Sequence, residues 1–339
     1  MAKKSSSLPA GQASKKPVKN PLLASERTLS KIGKLLELQN FKSLDEANKF
    51  LQNMIGKPDS LNDPFLADKR NPLDEAQEIM YDAFDEENSQ KRIKLAKKAL
   101  SVSKDCADAY NLLAEEAPSL EEAKELYHNG IAAGKRSIGE KVFEEMKGHF
   151  WGYHETRPFM RTMAGLSNVL WSLNQKQESV DVIKEMLVLN PYDNQGMRYS
   201  LINKLLVLRK LSEAEDLLNE YMDDHSAYWY YSRAYLYFCK PSKKFAADKE
   251  LIKAMKFNPY VPLSLFGIKE MPKIPPDFIG IGDDNEAIEY ADVAFEVWGS
   301  NESASHWFAG LYKKMENELN QLIIKKEKER QKRFKDLGK

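Results

Sequence analysis

The feature that most constrains the fold of this chain is a helical pattern that repeats about every 34 residues, which is the length of a helix–turn–helix unit. Asn190-Pro191 ends one amphipathic segment and Asn258-Pro259 ends another, so two such repeats separate the two prolines. Small residues occur where two antiparallel helices would cross, with larger apolar residues four or seven positions away. We therefore predict an all-α protein with five stacked units, at about 74–106, 107–136, 157–191, 192–226 and 227–260.

Several segments of these units resemble the tetratricopeptide repeat (TPR) family, namely ALSVSKDCADAYNLLAEE, EEAKELYHNG, AGLSNVLWSL, MLVLNPYDN, LSEAEDLL and KAMKFNP. A narrower resemblance, to a group of bacterial TPR proteins of unassigned function, is carried by GHFWGYHETRPFMR, LNPYDNQGMRY and FNPYVPLSLFG. The first of these fits the pattern GHFWG-x-x-ETRP-x-MR. The resemblance implies a TPR-like α-solenoid in which the first helix of each unit lines a concave groove. It implies no activity and no cofactor.

The segments outside the repeats differ from them in composition. Residues 1–24 are rich in Ser, Lys and Pro and predict a disordered basic tail, whereas 25–56 predict a helical hairpin. Residues 57–72 contain three prolines and predict a linker before a solenoid at 73–260, which carries an insertion at 137–156. We expect 261–312 to cap the end of the solenoid, with Leu263, Leu265, Phe266 and Ile268 buried, and 313–339 to form a charged helical tail.

Charge and cysteine content restrict the class of protein further. The chain has 51 basic and 51 acidic residues, so it lacks the overall positive field typical of nucleic-acid-binding proteins. Both ends are basic: residues 1–34 contain eight Lys or Arg and one acid, Glu26, and 313–339 contain ten basic and five acidic residues. No apolar stretch approaches the roughly 20 residues that cross a bilayer, and no secretory signal is present. Cys106 and Cys239 alone fit a reducing compartment, and we expect a cytoplasmic protein without a transmembrane segment.

Motifs for catalysis and for metal binding are missing from the sequence. No phosphate-binding glycine loop, nucleophile elbow or HExxH motif occurs, and Pro158 interrupts the helix that would bring a second histidine beside His154. We predict no catalytic residue, no metal site and no cofactor. The acidic run at 283–286 lacks the glycine and the glutamate of a calcium loop, so Asp284 or Asn285 is expected to cap a helix over 286–297.

Candidate partner-binding residues come from three places. The aromatic and charged segment 148–161 either fills the gap beside an irregular unit, with Glu155 paired with Arg157, or forms part of a ligand groove, and both interpretations remain open. The helix at 228–238 carries aromatic residues on all faces, which is typical of interaction surfaces. The TPR resemblance implies that Asn and Arg on first helices face the groove, where they would grip a peptide backbone and a carboxylate. The candidates are Trp151, Tyr153, Glu155, Arg157, Arg161, Asn168, Arg198, Asn203, Trp229 and Arg233.

These observations favour a non-catalytic scaffold that binds a protein or a peptide in the groove of the solenoid. The alternative is an adaptor that reaches RNA or an anionic membrane through its basic ends, although the acidic middle of the chain opposes nucleic-acid binding. A third interpretation is an enzyme that uses the loop 148–161, with Glu155 or His154 transferring a proton. The identity of the partner and the oligomeric state do not follow from the sequence.

Overall fold

The computed structural model describes residues 21–39, 41–54, 71–274, 276 and 278–337. Within these ranges all regular structure is helical and no strand occurs, so the prediction of an all-α protein is confirmed. The helices are α1 (Pro21–Leu38), α2 (Leu44–Met54), α3 (Pro72–Phe84), α4 (Ser89–Val102), α5 (Ala107–Glu115), α6 (Leu120–Ile138), α7 (Glu140–Glu145), α8 (Arg157–Ser172), α9 (Lys176–Leu189), α10 (Met197–Val207), α11 (Leu211–Glu220), α12 (Ala227–Cys239), α13 (Ala247–Phe257), α14 (Val261–Leu265), α15 (Asp284–Gly299) and α16 (Glu302–Leu337). Short 3₁₀ turns occur at Phe150–Gly152, His154–Thr156 and Lys244–Ala246.

Side chains that precede the helices fix where several of them begin. Asn71 accepts a hydrogen bond from the Asp74 amide and Asp74 accepts one from the Asn71 amide, which completes a capping box at α3. Helix α15 is capped by Asp283 rather than by the predicted Asp284 or Asn285. The backbone of Asp283 is extended, and the Glu286 amide donates to its carboxylate at 2.8 Å.

The described residues divide into two compact units, of which the first comprises those within 21–174 and 188–191. Its helices pack most extensively in the combinations α3 with α4, α5 with α6, and α6 with α8. The contact between α6 and α8 depends on glycine, because a Cβ at Gly165 would overlap the Tyr127 ring and one at Gly134 would lie 2.9 Å from Phe159. These two positions therefore set how closely the helices that carry the candidate site approach each other.

The second unit comprises residues 175–187 and 192–339 and is built around an aromatic core. Helix α12 lies at its centre, and α15 and α16 cover it. The Tyr231 ring lies 5.4 Å from Tyr290 of α15 and 5.6 Å from Phe308 of α16, and Tyr235 lies 5.1 Å from Trp298. Trp229, Tyr231 and Tyr235 are therefore core residues, whereas Tyr230, Tyr237 and Phe238 of the same helix are half-buried. The expectation that this helix presents aromatic residues to a partner stays a prediction.

The flanking segments differ from the sequence expectations in detail. Helix α1 begins at Pro21, so 21–24 are helical and not part of a tail, while residues 1–20 and most of the expected linker (57–70) lie outside the described residues. In the expected cap, Leu265 is buried and Leu263 and Phe266 are half-buried, but Ile268 is 60% exposed. Helix α14 ends at Leu265, and Gly267 with φ +67° turns the chain away from the core. Among the described helices, none combines the length and the apolar content needed to span a membrane.

Candidate functional site

A cleft of about 270 Å³ opens in the first unit between α1, α3 and the second 3₁₀ turn. Polar side chains from five segments line it, which gives the walls both hydrogen-bond donors and acceptors. A cleft of this size admits a short stretch of peptide or a small polar molecule. The lining residues are Ser30, Gly33, Lys34, Asn71, Leu73, Asp74, Gln77, Tyr81, Asp105, Ala107, Ser137, His154, Glu155, Pro158 and Phe159.

A buried ionic network lies beside this cleft and shares Tyr81 and Gln77 with it. The Arg161 guanidinium donates to both carboxylate oxygens of Glu26, at 2.8 and 2.9 Å, and to both of Asp108, at 2.6 and 3.0 Å. The Tyr81 hydroxyl donates to Glu26 at 3.2 Å, and the Gln77 amide donates to Asp108 at 2.7 Å. Two forked arginine–carboxylate contacts therefore join α1, α5 and α8.

The network and the burial around it shift the pKa values of three neighbouring groups. Burial alone would lower the pKa of Arg161, but the charges of Asp108 and Glu26 raise it above the usual value, so the cation is permanent. Burial, together with the Glu26 and Asp108 carboxylates, raises the pKa of Tyr81. Burial raises the pKa of the Cys106 thiol to about 12, and Asp108 adds to the effect, so this thiol is protonated at neutral pH and is a poor nucleophile.

The segment 148–161 contributes to both the core and the cleft. Phe150 is fully buried, with its ring 4.8 Å from Phe143. The half-exposed Trp151 lies under the guanidinium of Arg157, which also donates to the Trp151 carbonyl oxygen at 3.0 Å. Tyr153 is 44% exposed. The segment thus fills part of the core through Phe150 and lines the cleft through His154, Glu155, Pro158 and Phe159. Its role in a ligand groove stays a prediction.

The ionic contacts of the segment differ from those expected. Glu155 pairs with His154 at 3.2 Å rather than with Arg157, and both members of the pair line the cleft. Arg157 instead lies 3.9 Å from Glu26, at the edge of the Arg161 network. Of the predicted partner-binding residues, the structure therefore brings together Glu155, Arg157 and Arg161 around the cleft.

The candidates in the second unit are engaged in internal contacts. Arg198 pairs with Asp193 at 3.0 Å and with Asp224 at 2.9 Å, and its guanidinium lies 4.4 Å from the centre of the Tyr199 ring. The guanidinium donors that would bind a ligand carboxylate are thus engaged by two carboxylates of the same chain. Trp229 is 1% exposed and has its edge toward Tyr199, so it is a core residue with no surface for a partner.

The asparagines predicted to face a groove lie in different environments. Asn168 is exposed on α8, whereas Asn203 is 6% exposed and its amide donates to the Tyr199 carbonyl oxygen at 2.8 Å. Arg233 is half-buried and lies 3.5 Å from the Leu218 carbonyl oxygen. Asn203 therefore anchors a helix from inside the protein instead of reaching a ligand.

Sequence reasoning missed the roles of Glu26, Tyr81 and Asp108. For Asp108, the sequence did contain a signal of burial. It is the one acid among the small and apolar residues of α5 that are buried, namely Ala107, Ala109 and Leu112. Glu26 stands out in the sequence only as the one acid of the basic segment 1–34. Among the described residues, no group of three His, Cys, Asp or Glu side chains is placed to hold a metal ion.

Comparison with known proteins identifies relatives of most of the helical region. The sequence matches the family described as ST7 protein over residues 62–331. It is 28% identical to "Suppressor of tumorigenicity 7 protein-like" of Homo sapiens over 254 residues, which are 67% of this chain and 43% of that protein. It is also 28% identical to "Protein ST7 homolog" of Drosophila melanogaster over 260 residues, covering 68% of this chain and 47% of that protein. The chain thus spans less than half the length of these relatives.

The ST7 match corrects the family suggested by the repeat pattern. The expected membership of the TPR family, and of the bacterial TPR group with the GHFWG segment, is wrong. A period of about 34 residues reports the combined length of two helices and their turns, which unrelated helical proteins share, so it does not identify ancestry. Since the match covers well over half of its residues, the chain belongs to the ST7 protein family.

Proposed function

We propose that this chain is a non-catalytic scaffold whose first unit binds an extended segment of a protein partner in the cleft beside α1. In this proposal the helix pairs of each unit stack as a solenoid, and the cleft is the binding surface that the stack provides. The observation that carries the proposal is the mixture of groups on the cleft walls, where Asn71, Ser137 and Asp105 stand beside the apolar Leu73 and Phe159. Peptide backbones need donors and acceptors, and their side chains need apolar contacts.

The rigidity of the cleft also supports the proposal. Arg161 ties α1 to α5 and α8 through buried carboxylates that are 3% exposed on Glu26 and fully buried on Asp108. A wall held in this way loses little conformational entropy when a ligand binds, which favours affinity. We place the scaffold in the cytoplasm, a location that is consistent with the free thiols of Cys106 and Cys239.

The proposal is tested by filling the cleft without disturbing the ionic network. Gly33 lies on α1 at the cleft wall, and a Cβ added there would be 3.4 Å from His154, so Gly33→Leu should occupy the space at little cost to folding. Gly310→Leu is the matched control, because Gly310 is also inside a helix and has open space around it.

The measurement is the binding of peptides selected from a random peptide library on the wild-type chain. We expect Gly33→Leu to weaken that binding by at least about tenfold and Gly310→Leu to leave it unchanged, as expected when a substituent occupies a ligand's space. Equal binding by the two variants, or failure of the wild-type chain to select any peptide, would contradict the proposal.

A further inference from the structure

A loop in the second unit exposes apolar side chains to solvent. Between α14 and α15, Ile274, Phe278 and Ile281 are 77%, 73% and 74% exposed, and Ile268 and Ile279 are also largely outside the core. Scattered single apolar residues are normal on a protein surface, but five large ones within fourteen positions form a patch. We refer to the three most exposed of these residues, Ile274, Phe278 and Ile281, as the apolar loop.

Polar contacts hold the backbone of the apolar loop with these side chains outward. The side-chain amide of Asn285 donates to the Phe278 carbonyl oxygen at 2.7 Å, and the backbone amide of Gly280 donates to the Asp283 carboxylate at 2.9 Å. The Gly282 amide donates to the buried Glu286 carboxylate at 2.8 Å. The N-terminal end of α15 thus anchors residues 278–282, and the exposure of Phe278 and Ile281 is a feature of the fold.

A run of basic residues lies next to the apolar loop. The Lys326 ammonium group of α16 donates to the Gly282 carbonyl oxygen at 2.8 Å, immediately after Ile281. From Lys326 to its end α16 carries six Lys or Arg and three acids, Glu327, Glu329 and Asp336, and at 1.5 Å per residue the basic residues extend about 14 Å, from Lys326 to Lys335. At this end of α16, the exposed cations for which no carboxylate partner is described are Lys325, Lys328, Lys332, Arg333 and Lys335.

One acid at the base of the loop, Asp284, is neutralised by two cations of the same unit. Asp284 pairs with Lys269 at 3.2 Å and with Arg330 at 3.0 Å. The surface beyond them therefore combines apolar side chains with unpaired positive charge. Membrane interfaces take up apolar side chains, and anionic headgroups attract neighbouring Lys and Arg.

We propose that the apolar loop and the basic end of α16 form a docking surface for an anionic phospholipid bilayer. The cores of protein interfaces are depleted in lysine, whereas four of the five unpaired cations here are lysines. RNA-binding surfaces stack bases on aromatic rings, and two of the three residues of the apolar loop are isoleucines, which offer no such ring. A lipid surface is the partner that uses both features.

The first experiment measures co-sedimentation of the full chain with vesicles. We expect binding to vesicles of mixed phosphatidylcholine and phosphatidylserine, much weaker binding to phosphatidylcholine alone, and no competition by soluble glycerophosphoserine. Ile274→Ser, Phe278→Ser and Ile281→Ser in one chain should reduce binding at least about tenfold. The matched control replaces Tyr192, Phe245 and Phe295, three other exposed rings of this unit, by serine and should bind as the wild-type chain does.

The second experiment separates charge from apolar insertion. Lys328→Glu, Lys332→Glu and Arg333→Glu in one chain should also reduce vesicle binding at least about tenfold, whereas Lys94→Glu, Lys97→Glu and Lys98→Glu on the exposed face of α4 should not. Brominated lipids should quench the added fluorescence of Phe278→Trp but not that of Phe245→Trp.

Several results would overturn the proposal. The wild-type chain could fail to bind anionic vesicles, or the loop variant and its control could lose vesicle binding equally. Brominated lipids could also quench the tryptophan fluorescence at positions 278 and 245 to the same extent. Binding of the wild-type chain to RNA that the α16 charge reversal abolishes, with vesicle binding unchanged, would assign the basic end to nucleic acid instead.

Discussion

At the scale of single residues, burial decides what the charged groups of this protein do. Asp108 has no exposed surface, and its charge is balanced by Arg161 with two hydrogen bonds. Asp105, three positions earlier, forms a similar pair with Arg136 at 2.7 Å but is 42% exposed. Water solvates the second pair and not the first, so the same residue type has different energetic consequences at the two positions.

Asp108→Asn is expected to destabilise the protein by about 3–5 kcal/mol, because it breaks a buried ion pair and places an amide NH₂ group against the Arg161 guanidinium, which then keeps only Glu26 as a carboxylate partner. Asp105→Asn makes the same chemical change at an exposed pair and should cost no more than about 1 kcal/mol. Urea unfolding followed by circular dichroism measures both values. Similar losses of stability in the two variants would show that the Arg161 network does not depend on Asp108.

Lys204 is a second residue whose environment predicts a measurable effect, here on the pH dependence of stability. It is 6% exposed, its ammonium group donates to the Ser179 hydroxyl at 2.9 Å, and burial lowers its pKa from 10.5 to about 8 while Glu296 opposes the shift. Between these two pH values the unfolded chain binds more protons than the folded one, so stability should rise with pH across this window, by up to about 3 kcal/mol.

The test of this effect is the pH dependence of unfolding in Lys204→Met. Relative to this variant, the wild-type chain should gain stability between pH 8 and pH 10, since methionine keeps the volume of the side chain and does not titrate. Denaturant midpoints measured at intervals across that window give the difference. Parallel curves for the two proteins would mean that Lys204 keeps a normal pKa in the folded state.

At the scale of elements, α1 shows how ion pairs contribute to holding a helix in place. Besides the contact of Glu26 with Arg161, Arg27 pairs with Glu78 at 2.8 Å, and Lys34 pairs with Asp74. Leu29 of the same helix remains 45% exposed, so apolar burial contributes little at that position. The position of α1, and with it one wall of the cleft, therefore depends on a small number of ion pairs.

Glu26→Ala is expected to loosen α1 selectively. The amides of 24–38 should exchange with deuterium at least about tenfold faster, because the most deeply buried ion pair described for the helix is lost. Helix α6, whose contacts are unchanged, should keep its protection. Glu46→Ala, at an exposed position on α2, is the control and should change neither region. Unchanged exchange in α1 would show that other contacts hold it.

At the scale of the whole molecule, the last two helices complete the core of the second unit. Tyr290, Trp298 and Phe308 come from α15 and α16 and are almost fully buried against α12. Each buried aromatic side chain contributes roughly 1.5–3 kcal/mol before entropy costs. The core around α12 is therefore completed by a segment that begins 45 positions after the end of that helix.

A chain that ends at Asp283 should lose the cooperative unfolding of the second unit and aggregate, since α12 would expose its aromatic face. A chain that ends at Gln331 lacks only exposed residues of α16 among those described and should unfold as the full chain does. Scanning calorimetry and light scattering distinguish the two. A soluble protein ending at Asp283 with the full-length transition would show that α15 and α16 are dispensable for the core.

The amino-acid sequence determined the helices of this protein, because helix formation depends on neighbours a few residues away. The Asn-Pro steps placed the end of α9 at Leu189 and that of α13 at Phe257, and the spacing of apolar residues indicated an all-helical fold. The local pattern also predicted the aromatic helix α12, but it did not predict that α15 and α16 pack against that helix. These features follow from backbone geometry and capping within single segments.

Only the tertiary structure decided which residues meet. Glu26 reaches Arg161 across 135 positions, and Glu286 accepts a hydrogen bond from the Ala227 amide across 59, so neither contact leaves a periodic trace in the sequence. The same is true of Arg198, whose carboxylate partners are Asp193 and Asp224 instead of a ligand. Burial determines whether an arginine or a tryptophan contacts a partner or the protein itself, and burial depends on helices that are distant in the chain.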